Sequence, residues 1–473
     1  MNVIVGGYGC VSAAGENTAA LSAALFDGRP ARPESPARRI DSVYAAAYPA
    51  FLVRAALTAT RRADESLSLL FLRTAIDEAL TMAALSAAAL RGLRVGVCVG
   101  SSVEASFIPL EHYRTARAGQ PLPPGIFERF VTASLSDRVL AHYGWSGISQ
   151  TVVTACASGT DAIGIGAEWL ATGACDAVIA GGADEFNAVP YTGFIRLMIA
   201  SRAPCRPFAR DRAGINLGEG AGALLLLSPS AAARLGVTPR GRVLGYGNAA
   251  DGYHATAPEP GGRGLRQAIA GAMTQARVRA ADLAFVNAHG TGTADNDAAE
   301  AAVFNDLLPG VAVSATKGHT GHTLAAAGAI EAVITLLALA RGEIPAVNFP
   351  FTPDEKLGLA PLTVTQKIPA DKTAALSDSL AFGGINAALV LGRAEPDAPR
   401  ASSPRINSSS INSPLVEGWR RSRRGVLALM GKEHQTLKHP VRLRGHPSSR
   451  GEFARAEASS MEMVSARASF NHE

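Results

Sequence analysis

Short apolar segments alternate with Ala-rich segments of helical character from the N-terminus to about Gly392, and no other feature restricts the fold as strongly. Strands separated by helices that can cross back over a sheet are typical of βαβ units, in which helices cover both faces of the sheet. The alternation therefore predicts an α/β fold. The segments typical of strands are 3–5, 94–99, 151–154, 177–180, 222–227, 283–286 and 387–391, and those typical of helices are 66–85, 160–171, 264–276, 297–304 and 324–339.

The last part of the chain, residues 395–473, has a different character. It contains ASSPRINSSSINSP at residues 401–414 and continues as Arg-rich sequence with no sustained period of 2 or 3.6 residues. This composition predicts a disordered basic tail. The tail holds 13 Lys and Arg against 8 Asp and Glu, whereas residues 1–394 hold 32 of each, so the whole net charge of +5 lies in the tail. A neutral body lacks the clustered basic surface of a nucleic-acid-binding protein, and we expect no nucleic-acid partner.

Three features predict a cytoplasmic protein without a membrane span. Segment 323–340, TLAAAGAIEAVITLLALA, is nearly long enough to cross a bilayer, but Glu331 lies near its middle. A carboxylate is costly at the bilayer centre and can be paired inside a protein, so we expect a buried core helix. The first 15 residues lack the basic region of a secretory signal. The five cysteines show no metal-ligand spacing and suit free thiols in a reducing compartment.

The segment TVVTACASGTDAIGIG, residues 151–166, is the strongest local signal of chemistry. A β-branched strand leads through small residues around Cys156 into a helix, which would expose the thiol at the end of a strand. At a helix N-terminus, unpaired N–H groups and the helix dipole favour the thiolate, so we predict a lowered pKa for Cys156 and a nucleophilic role. The alternative is an inert buried cysteine. A second strand-turn-helix unit, an elbow of the same kind, is predicted around Phe382 and suggests that the chain contains two duplicated halves.

Two Gly-containing loops that follow predicted strands supply histidines. NAHGTGT places His289 at the C-terminal end of a strand, where open α/β sheets hold their reactive groups. SATKGHTGH then supplies Lys317, His319 and His322 before the long apolar helix. The three histidines suggest a zinc site as an alternative to thiol chemistry. No carboxylate or thiolate is spaced to complete that site locally, so we expect no metal.

The segment SLAFGGIN, residues 379–386, contains paired glycines that permit a tight turn whose backbone N–H groups point at a ligand. Such N–H groups are suited to an oxyanion hole. A nicotinamide-dependent oxidoreductase is a competing interpretation, because Gly7 and Gly9 follow the first strand. Ser12 stands where the third glycine of a dinucleotide-binding motif belongs, which disfavours that class.

Five motifs together carry a family resemblance. VVTACASGTDAIG, RPFARDRAGINLGEGAG, NAHGTGT, TKGHTGH and AFGGINAALVL occur in the order found in beta-ketoacyl-acyl carrier protein synthases I and II, and the resemblance covers about residues 1–394. It implies a thiolase-like fold in which two similar α/β halves form five layers in the order αβαβα. We place the halves at residues 1–245 and 246–394, followed by the tail. The resemblance also implies a homodimer, or a heterodimer with a related subunit.

The resemblance implies a decarboxylating condensing enzyme. Cys156 would accept an acyl group from an acyl carrier protein, and the backbone N–H groups of Cys156 and Phe382 would form the oxyanion hole. His289 and His322 would bind the oxygen of the malonyl thioester while it loses carbon dioxide. Substrates would arrive on the phosphopantetheine arm of the carrier protein, and no bound cofactor is expected.

Further residues receive roles through the same resemblance. Lys317 matches a family lysine held by two carboxylates, here Asp297 and Glu300, which lie three apart on one predicted helix. Three threonines match positions that bind the phosphopantetheine arm: Thr291, Thr293 and Thr256. Four residues match the gate over the acyl site: Ala381, Phe382, Gly383 and Gly384.

This chain departs from the family pattern at the gate. The usual Phe-Gly-Phe-Gly-Gly reads Leu-Ala-Phe-Gly-Gly at residues 380–384, which leaves gate motion and acyl preference open. The Asn-Asp step at 296–297 resembles type II polyketide and aryl polyene synthases more than fatty acid enzymes. A non-catalytic chain-length subunit of the same fold is the remaining alternative. Such subunits typically lack the nucleophilic cysteine, and Cys156 is present.

Overall fold

The computed structural model describes residues 1–28, 31–62, 65–103, 113–122 and 134–394. The predicted tail, 395–473, lies outside the described residues. Within the described part, residues 1–394 belong to one compact unit.

Ten strands form one mixed sheet in the order β3-β2-β4-β5-β1-β6-β12-β11-β7-β8. A separate two-stranded ribbon pairs β9 with β10. The strands are β1 (Val3–Ser12), β2 (Val95–Gly100), β3 (Gly147–Val152), β4 (Ala177–Asp184), β5 (Gly220–Leu227), β6 (Gly241–Ala250), β7 (Leu283–Asn287), β8 (Ala312–Ser314), β9 (Glu343–Ile344), β10 (Gln366–Lys367), β11 (Ala374–Ala381) and β12 (Ile385–Gly392).

The strand order shows that the two halves are duplicates. In the first half, β2 lies parallel to β3 and β4, β4 is antiparallel to β5, and β5 is antiparallel to β1. In the second half, β7 lies parallel to β8 and β11, β11 is antiparallel to β12, and β12 is antiparallel to β6. The two five-stranded sets therefore share one topology. They meet where β1 pairs with β6 over Val3, Ile4 and Val5.

Helices complete five layers. α3 packs on β1 and β5 at one outer face, and α8 packs on β6 and β12 at the other. Between the two five-stranded sets, α5 and α11 contact each other as well as strands of both halves. The helices are α1 (Thr18–Phe26), α2 (Ala55–Thr58), α3 (Leu67–Met82), α4 (Leu135–Tyr143), α5 (Ser158–Ala171), α6 (Ala188–Arg196), α7 (Pro229–Leu235), α8 (Arg263–Ala276), α9 (Ala294–Leu307), α10 (Lys317–Thr320) and α11 (Ala327–Arg341). This arrangement confirms the predicted α/β fold with two similar halves.

The central helices approach each other closely because small residues line their contact. A Cβ atom at Gly328 of α11 would collide with the Thr160 hydroxyl of α5. The apolar segment Leu324–Arg341 is long and apolar enough to cross a membrane, but 83% of it is buried inside the protein. It is therefore the core helix that the sequence predicts, with Glu331 buried in its middle.

Both central helices begin at an elbow of the same construction. Ala155 (φ 50°) is the first residue of the short 3₁₀ turn before α5, and Leu324 (φ 55°) is the first residue of the short 3₁₀ turn before α11. Positive φ is uncommon for residues other than glycine, so its recurrence supports the duplication. The expectation that Phe382 marks the second elbow is wrong. Phe382 lies in the turn that joins β11 to β12, which is a hairpin.

Some elements escape the sequence patterns. β6 and β11 are absent from the predicted strands, because β6 is rich in glycine and β11 carries Ser377, Asp378 and Ser379 as buried polar residues. The predicted boundary at residue 245 falls inside β6. That strand pairs with both β1 and β12, so it joins the two halves.

Candidate active site

The elbow before α5 holds Cys156 at the point where the chain turns from strand into helix. Ser158 Oγ accepts a hydrogen bond from Thr154 N (2.9 Å) and donates one to Ala155 O (2.6 Å). These two bonds span the turn and stabilise the positive φ of Ala155. Cys156 lines a cavity but is only 7% exposed, so the thiol is buried at the strand end where the sequence predicts an exposed one.

The prediction of a lowered pKa for Cys156 is wrong. Burial raises the pKa of its thiol to about 11, whereas the positive charge of Lys317 and the backbone N–H groups of Phe382 and Cys156 lower it. Taking a thiolate out of water costs more free energy than Lys317 and these N–H groups restore. Cys156 is therefore a protonated thiol at rest. The N–H groups that the sequence assigns to the oxyanion hole nevertheless lie beside the sulfur.

The raised pKa predicts how the alkylation rate of Cys156 changes with pH. A thiol that ionises only near pH 11 should react with iodoacetamide about tenfold faster for each unit of pH between 7 and 9.5, because the thiolate fraction grows at that rate below the pKa. The measurement is the alkylation rate at Cys156 by peptide mass spectrometry, with free glutathione as the control. A rate that is already level at pH 7 would contradict a raised pKa.

The two predicted histidines come from the second half and face Cys156. Their rings are 5.2 Å apart and nearly perpendicular. His289 follows β7 directly. His322 is held by its backbone, since its N–H donates to Asn216 O (2.8 Å) and its carbonyl accepts from Gly218 N (2.9 Å). The segment around RAGINLGEG thus positions a histidine about a hundred residues further along the chain.

Hydrogen bonds select the same tautomer for both rings. Lys317 Nζ lies 3.0 Å from His289 Nδ1, and Leu324 N donates to His322 Nδ1 (3.1 Å). Each Nδ1 therefore accepts. Burial, followed by the charge of Lys317, holds the pKa of both histidines well below 6.5, so the rings are neutral. A neutral ring whose Nδ1 accepts carries its proton on Nε2, so two N–H donors remain for the cavity.

Lys317 is buried, and each of its three N–H donors has an acceptor. They are His289 Nδ1, the backbone carbonyl of His289, and the Glu331 carboxylate of α11. The expectation that Asp297 and Glu300 hold this lysine is thus wrong. The carboxylate that pairs with Lys317 comes instead from Glu331 of α11.

Asp297 and Glu300 hold the backbone of the NAHGTGT loop. Asp297 accepts from Gly292 N (3.1 Å) and from Phe208 N (2.7 Å), and Glu300 accepts from Gly290 N (2.8 Å). Both side chains are fully buried. Burial raises the pKa of Asp297 to about 6 and raises that of Glu300 well above its usual range, with nearby carboxylates adding to the shift at Glu300.

Three further contributors to the site are absent from the sequence predictions. Glu331 is the first, although a carboxylate inside an apolar helix already indicates a buried cation partner. Asp378 on β11 is the second. Burial, followed by the charge of Glu331, raises the pKa of Asp378 to about 7, so this carboxyl adds to the acidic surroundings of Lys317. Phe194 is the third, and its ring stands edge-on to Phe382 with centroids 5.5 Å apart.

The gate residues occupy the β11–β12 hairpin. Ala381 is the last residue of β11 and pairs with Ile385. Gly383 and Gly384 adopt φ 84° and 72°, which strongly favours glycine, and a Cβ at Gly384 would collide with Asp251. The turn therefore requires glycine at both positions. Phe382, half-buried between them and Ala381, faces the cavity.

The cavity has a volume of about 550 Å³ and is lined by residues of both halves. Cys156, His289 and His322 lie on its wall together with the three threonines predicted for the phosphopantetheine arm, Thr256, Thr291 and Thr293. The hydroxyls of Thr291 and Thr293 are 2.9 Å apart. Its apolar lining includes Phe194, Leu197, Met198, Ile199 and Leu380. The cavity thus combines a polar wall with an apolar one.

A metal ion is the alternative occupant of the reactive corner. One ligand atom from each of Cys156, His289 and His322 lies within 4.8 Å of the other two. His319, which the sequence offers as a zinc ligand, takes no part, because its Nε2 faces the carbonyl of Ala346 (3.2 Å). The two Nε2 atoms carry protons in the tautomers described above, which suits hydrogen-bond donation better than metal binding.

Comparison with known proteins identifies the family. Residues 1–232 match the family described as beta-ketoacyl synthase, N-terminal domain, and residues 240–349 match its C-terminal domain. The chain is 33% identical over 318 residues to 3-oxoacyl-[acyl-carrier-protein] synthase 2 of Staphylococcus aureus (strain COL), which covers 64% of this chain and 76% of that protein. A putative mitochondrial 3-oxoacyl-[acyl-carrier-protein] synthase of Schizosaccharomyces pombe is 32% identical over 315 residues, covering 63% and 74%.

Solved structures agree as well. The ishigamide ketosynthase/chain length factor is 30% identical with a TM-score of 0.75, and the match covers 83% of this chain and 99% of that one. The ketosynthase ApeO in complex with its chain length factor ApeC from Xenorhabdus doucetiae is 29% identical with a TM-score of 0.70, covering 83% and 98%. With both family domains in sequence, the duplicated sheet and the cysteine facing two histidines, this chain belongs to the beta-ketoacyl synthase family.

Proposed function

We propose that this chain catalyses a decarboxylative Claisen condensation, in which an acyl group on Cys156 is joined to a malonyl unit carried by an acyl carrier protein. One observation carries the proposal: Cys156 and two neutral histidines, each with a free Nε2–H, face the same cavity. A thiol can hold the acyl group, and two N–H donors suit an oxygen that gains negative charge.

The first step transfers the acyl group. The sulfur of Cys156 attacks the thioester carbonyl, and the N–H groups of Cys156 and Phe382 donate to the oxygen of the tetrahedral intermediate. The bond from carbon to the phosphopantetheine sulfur then breaks. The proton of the Cys156 thiol leaves with the phosphopantetheine thiol. Because burial keeps Cys156 neutral at rest, its nucleophilic form arises only as this proton departs.

The second step generates the carbon nucleophile. The malonyl thioester loses carbon dioxide, and the electron pair of the broken bond moves into an enolate. His289 and His322 donate their Nε2–H groups to the enolate oxygen. Neutral rings suit this task, because they stabilise the charge without passing a proton to the carbon that must react.

The third step forms the carbon–carbon bond. The enolate carbon attacks the acyl carbonyl on Cys156, the Cys156 sulfur leaves as thiolate, and the β-ketoacyl product remains on the carrier protein. The thiolate then takes a proton from solvent, which restores the resting enzyme. Lys317 acts by holding His289 in the tautomer that donates.

The proposal includes partners and location. Substrates arrive on the phosphopantetheine arm of an acyl carrier protein, and Thr256, Thr291 and Thr293 line its path. A related subunit completes a dimer, which is supported by the similar solved structures of ketosynthases with chain length factors. A cytoplasmic location is supported by five cysteines that are all free thiols. Cys156 itself disfavours a purely non-catalytic partner role.

Reconstitution of the two half-reactions tests the function. Purified protein, alone and with a candidate partner subunit, is incubated with acyl carrier protein thioesters of several chain lengths and then with malonyl carrier protein. We expect one acyl group on the protein, release of carbon dioxide, and a β-ketoacyl product on the carrier. Chelator treatment beforehand should leave the rate unchanged; loss of activity restored by zinc would favour the metal site instead. The absence of any acylated protein with every thioester would refute the synthase assignment.

A further inference from the structure

We propose that Asp161 is a positioning residue for Cys156, which ties the elbow that carries the thiol to strand β6 of the opposite half. The inference rests on the proposed function for its consequence, but its geometry is independent of it. Asp161 lies on α5, five residues after Cys156, and is 2% exposed. No step of the condensation described above uses it.

Both carboxylate oxygens of Asp161 accept a short hydrogen bond, and the two bonds lead in opposite directions. Thr154 Oγ1 donates to Oδ2 (2.6 Å), and the Tyr246 hydroxyl donates to Oδ1 (2.8 Å). Asn248 Nδ2 in turn donates to the Tyr246 oxygen (2.8 Å). Thr154 precedes the elbow, whereas Tyr246 and Asn248 belong to β6. A single carboxylate therefore connects the two halves of the protein behind the nucleophile.

The elbow needs support from outside itself because its backbone is strained. Ala155 has φ 50°, a conformation that is unfavourable for a residue other than glycine and persists only where the surroundings impose it. The bonds through Ser158 are local and move with the turn. The bond from Thr154 to Asp161 fixes the turn against α5, and Tyr246 fixes Asp161 against β6.

The catalytic consequence follows from what the elbow carries. The N–H of Cys156 forms half of the oxyanion hole, and the other half, Phe382, lies on the hairpin that pairs with β6 through β12. β6 also leads directly into the loop whose Thr256 lines the cavity. Asp161 thus fixes the position of the Cys156 thiol relative to Phe382 and Thr256 on the opposite half. Misplacement of a reacting group by about 1 Å can slow a reaction by about 10²-fold.

The test compares Asp161→Asn, Thr154→Val and Tyr246→Phe. Asparagine keeps the size of the side chain but can accept only through one oxygen, so one of the two hydroxyl donors loses its acceptor. We expect acyl transfer to Cys156 to slow by about 10- to 100-fold in Asp161→Asn and in Thr154→Val, with little further loss in the double variant, because both changes break one connection. Tyr246→Phe should have a smaller effect in the same direction.

Glu168→Gln is the matched control. Glu168 is an exposed residue on the same helix, and the charge of its carboxylate acts on Tyr246. Its replacement removes a charge of the same sign near Tyr246, so unchanged acyl transfer in this variant assigns the effect of Asp161→Asn to its hydrogen bonds. An equal loss in both variants would overturn the proposal in favour of a charge effect.

Two readouts separate positioning from general damage. Carbon dioxide release from malonyl carrier protein depends on the histidines, so it should stay within about threefold of wild type in every variant, whereas a parallel loss of both half-reactions would overturn the proposal.

Alkylation of Cys156 by iodoacetamide needs no carrier protein. If wild type fails to accept any acyl group, the proposed function falls, and an altered pH profile of alkylation in Asp161→Asn still supports the positioning role. An unchanged profile together with unchanged acyl transfer would refute it. Should Asp161→Asn fail to fold, Thr154→Val decides on the same measurements.

Discussion

Replacement of Cys156 by alanine is expected to abolish acyl transfer to the protein completely. The sulfur is the atom that forms the thioester, and the four other cysteines offer no substitute, because all are buried and none lines the described cavity. Burial raises the pKa of Cys98 and Cys175 as it raises that of Cys156, so the position of Cys156 on the cavity wall is what distinguishes it.

The measurement is intact mass followed by peptide mapping after incubation with acyl carrier protein thioesters. Wild type should gain one acyl group on the peptide that contains Cys156, and Cys156→Ala should gain none. Cys175→Ala is the matched control, since it removes a buried thiol that is 2% exposed and outside the cavity. An acyl group on any other residue of the alanine variant would show that the nucleophile has been misassigned.

The second large effect is expected at the histidine pair. His322→Ala removes one of two donors to the enolate oxygen and should slow carbon dioxide release by about 10²-fold or more, the order found when one donor to a developing oxyanion is lost. His289→Ala should behave similarly. His322→Ala should still accept an acyl group on Cys156, because the oxyanion hole for that step consists of backbone N–H groups.

Lys317→Met extends this prediction to the group behind the ring. Without the ammonium group, His289 Nδ1 loses its donor and Glu331 is left as a buried carboxylate without its cation. The ring is then free to move its proton to Nδ1, which removes the donor from the cavity. We expect decarboxylation to fall about as far as in His289→Ala, and the two changes should not add, since they remove one interaction.

A histidine in the same loop provides the control. His319 lies between Lys317 and His322 but contacts the carbonyl of Ala346 rather than the cavity. His319→Gln keeps a donor for that carbonyl and should leave carbon dioxide release within about threefold of wild type. Equal losses in the His319 and His322 variants would indicate damage to the loop as a whole and would contradict a specific donor role.

Local sequence patterns were sufficient to locate the cysteine and the two histidines of the proposed reaction. Cys156, His289 and His322 each follow a short strand through small or Gly-containing sequence, and such a loop must lie at a strand end whatever the rest of the fold does. The alternation of strands and helices likewise predicted the α/β class. Strand β11 escaped because its buried polar residues, among them Asp378, do not show the apolar pattern by which buried strands are identified.

Contacts between residues that are distant in sequence could be identified only from the tertiary structure. The carboxylate that pairs with Lys317 comes from α11, and the hydroxyl that binds Asp161 lies 85 residues away on β6. Sequence spacing favoured Asp297 and Glu300 because they share a helix face, yet that face holds the loop backbone instead.

The protonation states of the site residues also depend on the tertiary structure. From sequence, a cysteine at a helix N-terminus has a lowered pKa, because only the local dipole is visible. In the folded protein, burial acts on the same thiol more strongly and raises its pKa to about 11. The amino-acid sequence thus determined at which strand ends the cysteine and the two histidines stand. Only the packing of the two halves decided their charge, their tautomers and their partners, because burial and long-range contacts exist only once distant segments have come together.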